Sequence, residues 1–172
     1  VNFLELGPGE KVSSILSLSE LSGVQYLVMQ TRNGVIKKVE IASFANVRRS
    51  GLIAIKLKDG DELAWVKPST GKDEIMLATR GGQAIRFAEA DVRAMGRVAS
   101  GVRSIRLRKG DTVVGMDVVT TTVATHAKQQ LLIVMENGFG KRTALAQYKV
   151  QRRGGSGIKT AKVTAKTGTI VT

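Results

Sequence analysis

The chain has 172 residues, with 27 Lys or Arg against 14 Asp or Glu, a net charge of +13, and no cysteine. Those totals exclude a disulfide framework and thiolate metal sites, and they fit a reducing compartment. No apolar run reaches the 18 residues a membrane helix needs, the N-terminus lacks the basic-then-apolar order of a signal peptide, and an apolar fraction of 42% is that of a globular chain, not a disordered one.

A globular chain this basic is expected to meet a polyanion, because phosphates attract it and released counterions favour binding. A charge serving only solubility is the duller reading. No basic amphipathic helix is present, so an anionic membrane is the weaker partner.

In chain order, residues 4–12 align with 55–63, so residues 1–12 read as the end of a preceding repeat. An apolar strand at 26–29 leads into an Asn33-Gly34 turn, a basic strand with Lys37 and Lys38, and a basic loop with Arg48 and Arg49. An alternating strand at 52–57 then enters the turn 58–61. The series recurs: strand 74–77, turn Gly81-Gly82, strand with Arg86, loop with Arg97, alternating strand 102–107 with Arg103, and turn 108–111. It recurs again: strand 130–135, turn Asn137-Gly138, strand with Lys141 and Arg142, loop 151–157, and alternating strand 158–163 with Lys159. Asn-Gly and Gly-Gly between apolar runs predict two-residue hairpin turns, with positive φ at both central residues.

Gly34 and Gly82 lie 48 positions apart, Gly82 and Gly138 56; Gly51 and Gly101 lie 50 apart, Gly101 and Gly157 56. The longer third step is absorbed by the Thr/Ala-rich stretch 120–128. A period near 50 with about four strands per unit predicts an all-β, propeller-like array. The repeats are drawn at 13–65, 66–118 and 119–172, all in one incomplete domain.

The stretches 54–63, 92–97 with 101–107, and 136–143 resemble the C-terminal domain of the DNA gyrase A subunit, over essentially the whole chain. The resemblance implies a β-pinwheel, a propeller whose blades exchange strands. It also implies a non-catalytic module of a type IIA topoisomerase that binds and wraps duplex DNA and supports negative supercoiling. Cytoplasmic, nucleoid-associated bacterial localisation follows from it. So do the partners, namely the rest of the gyrase A subunit and, in the holoenzyme, the gyrase B subunit. No cofactor is implied for this piece; ATP and Mg belong elsewhere in the holoenzyme.

Residues 151–157, Gln-Arg-Arg-Gly-Gly-Ser-Gly, match the gyrase-A box of that family at six of seven positions. Ser156 stands where the box carries a base, and the motif falls in a later repeat than in well-known members. The equivalent domain of topoisomerase IV is one alternative identity, and a propeller-like protein-interaction module is another.

Wrapping needs cations along a rim and no base reading. The DNA-contacting set is therefore expected to be Gln151, Arg152, Arg153, Gly154, Gly155, Gly157 and Lys159. Arg48, Arg49, Arg97 and Arg103 join it from similar phases in the loops. Lys37, Lys38, Arg86, Lys141 and Arg142 follow the hairpin turns on or near the same rim. The box glycines would let backbone approach phosphate.

Each site has a plainer reading: an Arg pair as a solvated turn, Asp59-Gly60-Asp61 as a turn and not a calcium loop, Trp65 and Phe87 as core. Aromatic residues make up only 4%, too few for stacking on unpaired bases. A lone His126 builds no triad or metal site, no P-loop is present, and Tyr26 and Tyr148 follow Gln25 and Gln147 where strand-cleaving tyrosines follow arginine.

Overall fold

A computed structural model describes residues 7–12, 14–16, 23–46, 51–120 and 129–172. Among these the regular structure is strands and short 3-10 turns, and no helix is long and apolar enough to cross a membrane.

Strands β1 (Tyr26–Thr31) and β2 (Val35–Glu40) form the first hairpin. β3 (Leu63–Ser69) pairs with the other edge of β1. β4 (Glu74–Thr79) and β5 (Gln83–Ala88) form the second hairpin, followed by β6 (Val102–Arg103) and β7 (Val113–Val119). β8 (Gln130–Val134) and β9 (Gly140–Ala144) form the third hairpin, and β10 (Val150–Gln151) and β11 (Ile158–Lys159) follow it.

The first two sheets do not close on their own repeats, while the third is the β8–β9 hairpin alone. The first has the order β3-β1-β2-β6, so its last strand comes from beyond the second hairpin. The second has the order β10-β5-β4-β7, with β11 also on β5, so its edge is supplied from beyond the third hairpin. This exchange is the pinwheel arrangement expected from the family resemblance. The boundaries drawn at 65/66 and 118/119 fall inside β3 and β7, each of which is one continuous strand.

The hairpin turns differ from expectation. No described non-glycine residue has positive φ. The amides of Gly34, Gly82 and Gly138 donate to the carbonyls of Thr31, Thr79 and Met135, so each glycine is the fourth turn residue, not a central one. Gly34 takes φ +80°, the left-handed conformation that a three-residue hairpin loop places after its turn.

The alternating strands expected at 52–57, 102–107 and 158–163 are also reduced: the first forms no strand, and the others pair over two residues each. The backbone of 101–107 explains this. The Ser104 amide donates to Gly34 O in the first hairpin, while the Arg106 amide donates to Gly155 O in the last loop, both at 2.8 Å. Partners that change every two residues leave no continuous ladder.

The second sheet is buried on both faces. Ile75, Leu77, Ile85 and Phe87 join Val28, Ile36, Ile105 and Val113 in one cluster. Met76 and Ala84 pack with Leu145 and Tyr148, and Ala78 packs with Ile133, Met135 and Ile170. That two-sided burial is why β4 reads as an unbroken apolar run. Phe87 lies in the core as expected, and the half-buried Trp65 packs against it, with the Arg32 guanidinium 5.5 Å from its ring.

Candidate nucleic-acid interface

Residues 151–157 leave β10, turn through residues 153–154 and return as β11, and both strands pair with β5. The loop therefore straddles a strand of the repeat before it. The earlier loop repeats the arrangement: Ala94 bridges Lys38 in parallel, the Met95 amide donates to Lys38 O, and β6 pairs with β2. These loops are junctions between repeats, which gives them one phase in the sequence.

The two arginines of the loop do different things. Arg153 is half-buried and engaged with the preceding repeat: its Nη1 donates to Arg103 O at 2.6 Å, its Nε to Asp91 O at 3.2 Å, and its amide to Asp91 Oδ2 at 3.3 Å. Arg152 is exposed and has no hydrogen bond or ion pair among the described residues.

The glycines also serve the junction. The Gly154 amide donates to Ser104 O at 2.7 Å. Gly157, at φ +69°, sits so close to Ala84 of β5 that a Cβ would strike its carbonyl oxygen, so the close approach it permits is to the protein's own backbone. Gln151 is half-buried in β10, and Tyr148 packs just ahead of the loop with its hydroxyl 2.5 Å from Thr160 Oγ1.

The basic residues after the hairpin turns divide into two groups. Lys37, Lys38 and Arg86 were expected on the rim; the structure places them inside. Lys37 is fully buried, and its Nζ donates to Ala54 O at 2.7 Å and to Arg97 O. Burial holds its amine below the ordinary lysine value.

Lys38 lies 3.3 Å from Glu89, a fully buried carboxylate that also accepts from Ser69 Oγ and the Gly71 amide, and its Nζ caps Tyr26 at 4.8 Å. Arg86 pairs with Glu74 at 2.5 Å and donates to Leu145 O and Tyr148 O. Lys38 and Arg86 act alike: each reaches from the second strand of a hairpin to the 3-10 turn of the following repeat, at Glu89–Asp91 and Leu145–Gln147.

Lys141 and Arg142, on β9, are exposed. Lys141 shares a recess of about 370 Å³ with Lys159 and Lys162, and its Nζ donates to Thr160 O at 3.5 Å. Arg103 on β6 is exposed, Arg97 is half-buried, and Arg48 and Arg49 lie outside the described residues. Ser156 is exposed, and Lys159 stands three residues beyond it on β11.

Of the cations expected at the interface, Arg103, Lys141, Arg142, Arg152 and Lys159 face outward, and Lys162, which the expected set omits, is exposed beside them. Its signal was a spacing of three: Lys159 and Lys162 repeat Arg103 and Arg106. An assumed strand alternation of two hid it.

Residues 25–70, 73–120 and 129–172 match the family described as DNA gyrase C-terminal domain, beta-propeller. The chain is 40% identical over 172 residues to the DNA gyrase A subunit of Staphylococcus epidermidis, and equally to that of Staphylococcus aureus. In both cases the match covers 99% of this chain and 19% of the relative. Among solved structures, the C-terminal domain of a DNA topoisomerase IV superposes with a TM-score of 0.86 at 25% identity, over 98% of this chain and 51% of that one. A DNA gyrase A C-terminal domain superposes with a TM-score of 0.81 at 29% identity, over 97% of this chain and 54% of that one.

Proposed function

Because the chain belongs to the family of DNA gyrase C-terminal domains, we propose that it binds duplex DNA along its exposed cations and wraps it. In an intact topoisomerase such wrapping would present a neighbouring segment with one handedness, so that strand passage introduces negative supercoils. Breakage, religation and ATP hydrolysis with Mg would belong to the rest of the gyrase A subunit and to the gyrase B subunit, in the bacterial cytoplasm at the nucleoid.

The observation that carries the reading is the arrangement at the repeat junctions. Arg153 is spent on holding the loop in place, and Arg152 beside it is left exposed with no partner among the described residues. A loop anchored by one arginine offers the next to a phosphate with little further ordering. Arg103 and Lys159 stand exposed on the strands that complete neighbouring sheets, so outward cations recur at the junctions along the array.

Topoisomerase IV is the second reading, favoured by the higher TM-score; the 40% identity to the gyrase A subunit favours the first. The test is topological. Closed circular DNA is bound by the chain, relaxed by a nicking-closing enzyme and stripped of protein, and its linking number is read. A shift of one sign that grows with bound protein supports wrapping. Binding without a shift favours the second reading, and no binding removes both.

A further inference from the structure

A groove of about 640 Å³ runs between the first hairpin and residues 101–107, lined by Asn33, Lys58, Arg103, Arg106 and Leu107 among others, with no carboxylate in its wall. Two of the acids in the adjoining turn are engaged: Asp61 Oδ1 accepts from the amides of Asn33 and Glu62, and Glu62 pairs with Arg32 at 2.9 Å, while Asp59 lies outside the lining. The Asn33 side chain donates to Gly60 O, which ties the turn bearing Lys58 to the hairpin. Three cations therefore line one concave space whose lining holds no carboxylate.

The wall is held on both flanks. Ser104 and Ile105 are buried while Arg103 and Arg106 are exposed, and the amides of Ser104 and Arg106 are bonded to opposite neighbours, the first hairpin and loop 151–157. Arg103 Cδ lies 3.9 Å from the position a Cβ on Gly154 would take, so this side chain borders both the loop and the groove. The groove continues the basic line that the loop begins.

We propose that this groove is a second phosphate subsite for duplex DNA, with Lys58 and Arg106 as its cations and Arg103 shared with the loop. It rests on the duplex-binding reading. Its cations suit the phosphodiester backbone, and no aromatic ring lines it for stacking on unpaired bases. It carries the contact from loop 151–157 to the first hairpin, across the junction of two repeats.

The test is a salt titration of duplex binding by the 172-residue chain, with two unrelated mixed-sequence duplexes. Lys58→Ala with Arg106→Ala should lower the log–log salt slope by about 2, from about 0.9 per phosphate, and weaken both duplexes alike. A slope that does not change, while Arg152→Ala still weakens binding, overturns the groove and leaves the duplex reading standing. An unaltered chain whose binding ignores salt overturns the duplex reading itself. Acylation of lysines in the unaltered chain gives a readout independent of any substitution: saturating duplex should shield Lys58, and full labelling overturns the site.

Discussion

Arg152 and Arg153 are chemically identical neighbours with opposite employment, and substitution should separate them. Arg153→Ala removes two side-chain hydrogen bonds to backbone carbonyls of the preceding repeat and should cost about 1–2 kcal/mol in denaturant unfolding. Arg152→Ala should stay within about 0.5 kcal/mol of the parent and lower the salt slope of duplex binding by about 1. Equal stability losses would mean that Arg152 is also structural.

Lys37 calls for a different test. Its folded-state pKa lies below the ordinary 10.5, so in the window between the two the unfolded chain binds the proton more readily. Stability is then gained as pH rises through that window, the reverse of a lysine stabilised by a carboxylate. Denaturant midpoints of the parent and Lys37→Met should diverge from neutral pH towards 10.5, with the parent gaining; a constant difference would show that the amine titrates normally. The recurrence of basic residues was legible in the sequence. What each cation faces was not, because burial at Lys37 and Arg86 is decided by which repeat packs over them.

At the scale of the element, the hairpins were legible and the connecting strands were not. Apolar runs of four or more residues ending in glycine specify β1–β2, β4–β5 and β8–β9 locally. Residues 101–107 and 158–163 look like strands by their alternation, yet they pair over two residues each, and in the first of them successive amides serve two neighbours. The loop glycines show the same dependence on remote partners, and their tolerance to alanine should rank accordingly. Gly155, without positive φ and with its nearest atoms 3.6 Å from a built Cβ, should accept alanine with little loss. Gly154, at φ +81° with only ordinary contacts to Arg103 around a built Cβ, should lose about 1 kcal/mol from backbone conformation alone. Gly157 combines φ +69° with the collision against Ala84 O and should lose the most, together with amide-exchange protection in β11. An equal response at all three would mean that the loop adjusts as a unit and that the close approach at Gly157 is not a constraint.

At the scale of the whole molecule, the net charge of +13 does two jobs. Part of it faces outward, and part crosses the junctions as buried ties. Lys38 reaches Glu89 O and Arg86 reaches Leu145 O and Tyr148 O, so each tie ends on the 3-10 turn of the next repeat. Exchanged strands and two-sided burial of the second sheet couple the same neighbours, and such quasi-linear arrays unfold together only while their interfaces hold. Arg86→Met keeps much of the apolar stem but removes the ion pair to Glu74 and the donors to two turn carbonyls, a loss of about 3–5 kcal/mol for a broken buried pair. The loss should be local. Hydrogen exchange should rise in β8, β9 and β10, whose attachment runs through this junction, while β1, β2 and β3 keep their protection. Duplex affinity should fall only as far as the third repeat loosens, because the guanidinium itself is covered. Equal loss of protection in the first sheet would instead mean that the three repeats open as one cooperative body, with the junction at Arg86 carrying no more than its share.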